Sequence, residues 1–368
     1  MGMPMRSFLL VAILALVSPS EAALAAGDVA RVIRLSFAGD PGAAGGDVNA
    51  DGLAGAADVV GAVLGMQSPT EHGPFGVGYR KMTFTKRSET KPDEDRVLLT
   101  YIWYPAAPGT GPIDPRLGGK VNVPLADGAS NLPLVMFSHG SCGFAGQSTF
   151  LTATLASYGI IVVAPPHPGN TTAEIFTCFD PAQEADSFVN RPADIRFVLD
   201  QMLLSNADPA SFFSGAIDPQ RIGMSGHSFG GLTTLRVAAS DPRVIAGLAL
   251  APSARSIQDE IKRIDIPMMV QDGTLDGLLP DARLAYSLLP PPRSLLEIAR
   301  MTHSPFSDFC TECTPETLTP AEAHLYVLRY AVPFLLHWVA GDDRFDAFLD
   351  PAVTPPGATF IADSGTTQ

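Results

Sequence analysis

The residues able to do chemistry in this sequence gather around one serine. Ser228 stands in Gly226-His227-Ser228-Phe229-Gly230, between the apolar run Ile222 to Met224 and an amphipathic stretch that starts at Phe229. Where such a string joins a strand to a helix, the glycines permit a turn too tight for side chains, and the hydroxyl is held out at its apex. A serine hydroxyl is a poor nucleophile until a base takes its proton. The string therefore predicts acyl transfer only if a histidine and a carboxylate are supplied. Taken alone, the five residues also fit a glycine-rich connection with no chemistry.

Seven histidines are available. In a sheet of this kind the partners follow the serine in the order acid, then histidine. His303, in the loop Met301-Thr302-His303-Ser304-Pro305, satisfies that order. His324 and His337 fall within a terminal helix, His72 and His167 precede the serine, and His227 and His139 read as structural. The acid belongs after the apolar run Ile266 to Val270, where Asp272, Asp276 and Asp281 stand. Asp276, three residues after Gly273, is preferred, with Asp272 its main rival. The oxyanion of a tetrahedral intermediate needs preorganised N–H donors. Phe229, after the serine, supplies one, and Ser141 in Ser138-His139-Gly140-Ser141 the other.

These groups must be held by elements whose order can be read. Val97 to Trp103, Leu134 to Phe137, Ile160 to Ala164, Ile222 to Met224, Val244 to Leu250, Ile266 to Val270 and Leu295 to Ile298 read as strands. Helices are expected at Thr149 to Tyr158, Pro192 to Leu204, Phe229 to Ala239, around Ala282 to Leu288 and over Pro320 to Val339. A long loop is expected from Pro165 to Asn190. Short apolar strands alternating with helices predict a mostly parallel sheet covered on both faces, with ligands beyond the carboxyl ends of its strands.

With these pieces in order, the chain resembles α/β-hydrolases of the platelet-activating-factor acetylhydrolase and predicted dienelactone hydrolase branch. The resemblance rests on Ile102-Trp103-Tyr104-Pro105-Ala106, Pro166-His167-Pro168-Gly169-Asn170-Thr171, Arg191-Pro192-Ala193-Asp194-Ile195-Arg196-Phe197 and Arg221-Ile222-Gly223-Met224-Ser225-Gly226-His227-Ser228. It implies an α/β-hydrolase fold and cleavage of carboxylic esters through an acyl-serine, without a catalytic cofactor. Short-chain, phospholipid and polyester esters are the substrate classes it brings. Ser228 stands where dienelactone hydrolases carry cysteine, and Ala251-Pro252-Ser253 lacks the carboxylate that animal acetylhydrolases place there, which favours Asp276.

Ahead of this domain lie two other segments. Met1 to Ala25 has one cation, Arg6, an apolar run from Phe8 to Val17 and a small-residue cleavage site at Ala23-Leu24-Ala25, which predicts a signal peptide and secretion. The run is too short to span a membrane, so no transmembrane segment is expected. Residues 26–68 contain Asp47, Asn49, Asp51 and Asp58 at calcium-loop positions 1, 3, 5 and 12. Gly52 takes the turn position, and Leu53 offers its carbonyl. Asp instead of Glu at the last position makes the loop resemble a dockerin, which implies structural Ca2+ and a cohesin-like or cell-surface partner. The second functional reading is accordingly a calcium-dependent attachment protein carrying an inactive hydrolase. The expected layout is 1–25 signal peptide, 26–68 calcium segment, 69–349 catalytic domain and 350–368 tail.

Composition sets the outer bounds. The 368 residues are 46% hydrophobic and 17% charged, enough to bury a large core. A net charge of −14 leaves no basic surplus for phosphates, which argues against nucleic acid as a partner. Four cysteines allow three pairings. Cys310–Cys313 with Cys142–Cys178 is preferred, export making disulfides permissible.

Overall fold

A computed structural model describes residues 68–107 and 113–365. The chain divides into two units, Met1–Glu71 and His72–Gln368. Among the described residues the second unit is built on an 11-stranded sheet. In chain order the strands are β1 Gly76–Arg87, β2 Asp95–Ala106, β3 Ile113–Asp114, β4 Gly119–Val121, β5 Leu132–Ser138, β6 Ile161–Ala164, β7 Ile217–His227, β8 Val244–Leu250, β9 Met268–Gly273, β10 Arg293–Ile298 and β11 Ala358–Asp363. Their spatial order is β11-β10-β9-β8-β7-β5-β6-β2-β1-β4-β3. The block from β6 through β5, β7, β8 and β9 to β10 is parallel. Antiparallel β2 and β11 flank that block, β2 forming a long hairpin with β1.

Burial on both faces explains why the central strands read as unbroken apolar runs. On β5, Leu134 and Met136 face one core with Ile195, Val198 and Met202, while Val135 and Phe137 face another with Leu151, Val327 and Phe334. Helices α1 (Thr149–Ser157) and α5 (Pro320–Leu335) thus cover one face. Helices α2 (Pro181–Ala207), α3 (Phe229–Ala238) and α4 (Leu279–Leu288) cover the other. Each fully buried Leu, Ile or Phe in these layers stabilises the fold by about 1.5–3 kcal/mol relative to exposure.

The fold departs from the sequence expectation in three places. Helix α2 begins at Pro181, so the expected loop to Asn190 ends ten residues early. Pro192 lies inside this helix and does not open it. Proline removes an N–H and orphans the carbonyl four residues before it. That carbonyl belongs to Phe188, and it accepts a hydrogen bond from Arg236 Nη1, whose guanidinium also lies 3.9 Å from the Phe188 ring centroid. A partner from α3 therefore lets the helix run through its proline. The segment 350–368 carries β11, whose Phe360 is buried and whose Asp363 pairs with Arg293. Finally, β1 is a strand of 12 residues where none was expected. The calcium-loop residues Asp47, Asn49, Asp51, Leu53 and Asp58 lie outside the described residues.

Candidate active site

The turn from β7 into α3 carries Ser228 with φ 59° and ψ −119°, a conformation that non-glycine residues rarely adopt. Two close approaches make its glycines obligatory. A Cβ at Gly230 would lie 1.8 Å from Ser138 O, and one at Gly226 would lie 2.4 Å from Gly230 O. Backbone on both sides leaves no side chain to move aside. Ser228 N–H donates to Leu250 O at 2.8 Å, which ties the turn to the end of β8.

Asp276 stands three residues beyond the end of β9, and His303 in the loop beyond β10. Thr274 N–H donates to Ile298 O and Leu275 N–H to Met301 O, each at 2.9 Å, so the two loops are sewn together. His303 Nδ1 lies 2.6 Å from Asp276 Oδ2. A carboxylate only accepts, so Nδ1 carries the proton and Nε2 is left with a free lone pair. Burial pushes the Asp276 carboxyl up, but the hydrogen bond and charge of His303 outweigh it and hold the group below its ordinary value. Asp272 is fully buried beside it, with Oδ1 accepting from Gly273 N–H and Oδ2 without a protein partner. Burial, then the charge of Asp276, pushes its carboxyl up to about 9. Asp276 is ionised at neutral pH and faces His303, whereas Asp272 keeps its proton, which separates the two carboxyls by charge and contact.

Among the described residues Ser228 and His303 share no hydrogen bond, a contact that often tightens only when substrate is bound. Their neighbours already bring the two loops together. His227 Nε2 donates to His303 O at 3.1 Å, with the two imidazole centroids 4.6 Å apart. His227 Nδ1 then accepts from Gln147 Nε2 at 3.0 Å, and Gln147 Oε1 accepts from Gly140 N–H, also at 3.0 Å. One side chain, Gln147, thereby links the Ser138–Gly140 turn to the histidine loop. Burial, followed by the charge of His303, keeps His227 neutral.

At the proposed oxyanion donors, the Phe229 N–H is the first of a helix and has no helical acceptor. Ser141 N–H has no backbone acceptor among the described residues. The Gly140 position lies against Ser228, since a Cβ there would sit 3.3 Å from Ser228 Cβ. Around this turn lies a buried polar network absent from the sequence expectation. Arg96 holds Asp194 through Nε at 2.9 Å and Nη2 at 2.6 Å. Asp194 accepts from His167 Nδ1 at 3.1 Å, and His167 Nε2 accepts from Ser138 Oγ at 2.9 Å. His139 Nε2 accepts from His167 N–H, which leaves Nδ1–H to donate to Gly140 O at 2.7 Å. Burial, then nearby Arg191, pulls both imidazoles well below their ordinary value, so His139 and His167 are neutral struts.

Both disulfides border the site. Cys142–Cys178 ties the residue after Ser141 to the segment before α2, and Cys310–Cys313 closes a loop whose Glu312 accepts from His303 N–H at 3.1 Å. The cavity beside His303 and Asp276 is lined by Leu275, Leu278, Thr302 and Glu312, and the exposed rings of Phe144 and Phe309 stack at 6.2 Å. A separate cavity of about 240 Å³, lined by Met268, Trp338 and Phe360 among others, lies at the amino ends of β9 and β10, away from this chemistry. Among the described residues no cluster of His, Cys, Asp or Glu is arranged to hold a metal ion.

A central parallel sheet with a serine elbow and an Asp–His pair at its carboxyl end defines an α/β-hydrolase of the carboxylic ester hydrolase class. Residues 118–364 match the family model described as PETase: PET hydrolase-like, and the chain belongs to that family. The α/β-hydrolase resemblance seen in the sequence is thereby shown at the level of the fold, and the family shown within it is the PET hydrolase-like one. A bis(hydroxyethyl) terephthalate hydrolase of Streptomyces coelicolor is 26% identical over 229 residues, 58% of this chain and 68% of that one. Cutinase 2 of Thermobifida cellulosilytica is 24% identical over 229 residues, 58% of this chain and 80% of the cutinase. The structure of a ferulic acid esterase from Streptomyces cinnamoneus covers 80% of this chain and 98% of its own, with TM-score 0.62 and 21% identity, a likeness of fold.

Proposed function

We propose that this protein cleaves esters of bulky apolar acids by an acyl-serine mechanism, with Ser228 as nucleophile, His303 as base and Asp276 as orienting carboxylate. The observation that carries the reading is the 2.6 Å His303–Asp276 pair beyond the strand carrying the Ser228 elbow. Ser228 Oγ attacks the carbonyl carbon while His303 Nε2 takes its proton. The N–H groups of Phe229 and Ser141 meet the oxyanion. Collapse expels the alcohol, which leaves with the proton from His303. Water then attacks the acyl-serine, again through His303, and frees the acid. No cofactor enters these steps.

Leu275 and Leu278 beside His303, and the exposed stack of Phe144 and Phe309, support an apolar acyl group. The relatives are named as a bis(hydroxyethyl) terephthalate hydrolase and a cutinase, which supports the polymeric ester class proposed here. Ser228→Ala is expected to abolish turnover of p-nitrophenyl acetate and of bis(hydroxyethyl) terephthalate, and unchanged turnover overturns the reading.

Export is part of this proposal, supported by the leader-like Met1 to Ala25 and by two disulfides of the kind that persist in oxidising compartments. The calcium loop Asp47, Asn49, Asp51, Leu53 and Asp58 rests on ligand spacing. Calcium titration of the full chain before and after Asp47→Ala tests it, unchanged calorimetric heats counting against it.

A further inference from the structure

Arg191 on α2 is wholly buried, and among the described residues its guanidinium bonds no carboxylate. Nη1 donates to His139 O at 2.7 Å; Nη2 donates to Gly140 O at 3.0 Å and to Asn170 Oδ1 at 2.9 Å. Its Cζ lies 4.5 Å from the ring centroid of Phe229. Asn170 Nδ2 in turn donates to Cys178 O at 2.9 Å, and Cys178 is bonded to Cys142. One guanidinium therefore touches the turn before Ser141, the ring of Phe229, and, through Asn170, the disulfide that follows Ser141.

The peptide that ends in Gly140 O is the one that begins with Ser141 N–H. A trans peptide points its carbonyl and its N–H in opposite directions. Fixing Gly140 O on Arg191 therefore fixes the direction of the Ser141 N–H, and a cation on the carbonyl strengthens the donor across the plane. His139 Nδ1 and Gly143 N–H also donate to Gly140 O, at 2.7 and 3.2 Å, so the carbonyl is anchored from three sides. Only Arg191 adds charge and reaches Phe229 as well. Burial lowers its pKa to about 9, which leaves it charged at neutral pH. Retaining a buried cation costs stability that an apolar side chain of similar size would not cost.

We propose that Arg191 is a positioning residue that orients and polarises the oxyanion donor Ser141 N–H through Gly140 O and braces the side chain of the second donor residue, Phe229, so that its contribution is made in the transition state. The proposal rests on the acyl-serine reading above. Removing one oxyanion donor elsewhere costs about 10²–10³ in kcat, which sets the upper scale for losing the residue that aims one.

The test is Arg191→Met and Arg191→Lys in the full chain. It measures kcat and KM for p-nitrophenyl butyrate, and Ki for an alkyl trifluoromethyl ketone, whose hemiketal oxyanion mimics the tetrahedral intermediate. The expected result for R191M is a kcat lower by about 30-fold or more, up to the 10²–10³ scale above, with KM changed less than about threefold. Its Ki should rise in proportion to the loss of kcat/KM, and R191K should fall between R191M and the parent. A folded R191M with the parent's kcat and Ki, or with KM alone raised, overturns the assignment. Should R191M not fold, Asn170→Ala decides, since it releases one anchor of the guanidinium and leaves Arg191 in place. A parallel rise in Ki and fall in kcat supports the proposal, and parent-like values overturn it. A parent chain insensitive to the ketone, or still active after Ser228→Ala, overturns the acyl-serine reading and this proposal together. A sensitive parent with an equally sensitive R191M overturns this proposal alone.

Discussion

Replacing Asp276 by Asn separates a catalytic carboxylate from a structural one and gives a magnitude that can be worked out in advance. Asn keeps the size of the side chain but loses the charge facing the imidazolium that forms as His303 takes the Ser228 proton. The contact is 2.6 Å, on a carboxylate only 2% exposed. With charge centres about 3.5 Å apart and an effective dielectric near 20, the lost attraction is about 5 kcal/mol. That corresponds to a kcat lower by roughly 10³–10⁴, in line with the loss of about 10⁴ for the equivalent change in the Ser-His-Asp template. The control is Asp272→Asn. Asp272 keeps its proton, so the amide replaces one neutral donor by another, and a change of about 1 kcal/mol, under tenfold, is expected. Steady-state hydrolysis of p-nitrophenyl acetate by both variants, with thermal melts to verify folding, decides between them. A D276N variant that retains more than a tenth of the parent kcat, or a D272N variant that collapses instead, refutes this division of roles.

Three further outcomes follow from the same contacts. His139, His167 and His227 are held neutral in the fold while unfolded histidine protonates near pH 6.5, so the unfolded state gains protons first as pH falls. Each group then removes up to about 1.4 kcal/mol per pH unit below that point. Asp272 acts in the opposite sense, because its raised pKa gives it stability at low pH that is lost as pH rises toward 9. Melting temperatures from pH 8 to pH 5 should therefore fall on the acid side and fall more steeply in D272N; a flat profile contradicts both signs. Gly230→Ala forces a Cβ against Ser138 O, so at least about 1–3 kcal/mol of stability and most of the activity should be lost, as read by thermal unfolding and kcat. Arg96→Met strands the buried Asp194 and should cost about 3–5 kcal/mol in urea unfolding, whereas Arg283→Ala, in a solvent-exposed pair with Glu297, should leave the urea midpoint nearly unchanged.

The proposed reacting groups could be picked out from the sequence because such chemistry dictates local sequence. The elbow demands small residues at 226 and 230, and backbone now occupies the space a Cβ would need at both. His303 and Asp276 follow from chain order around a parallel sheet, and both preferred cysteine pairings are formed. The supporting residues left no such mark. Arg191 binds backbone carbonyls, which carry no residue identity, and its neighbour Pro192 reads as a helix start because the orphaned Phe188 carbonyl is satisfied from another helix. Strand β1 did carry a period of two, with Met82 and Phe84 packed inward against one core, but its polar outer face masked it. Strand β11 is an edge strand of six residues with mixed burial, too little apolar pattern to stand out. Turn spacing after Gly273 favours Asp276 over Asp272 in the sequence, and what it leaves out is the geometry, in which the imidazole faces Asp276 while Asp272 accepts from Gly273 N–H.

Everything proposed for this site requires Ser228 to be the group that attacks. Labelling the full chain with a fluorophosphonate, followed by peptide mass spectrometry, tests that claim without assuming a substrate. One phosphonyl group per chain on the peptide containing Ser228 is predicted, with labelling slowed by roughly 10³-fold or more in D276N and absent in S228A. Stoichiometric labelling of another residue, or turnover that survives complete labelling, would contradict it.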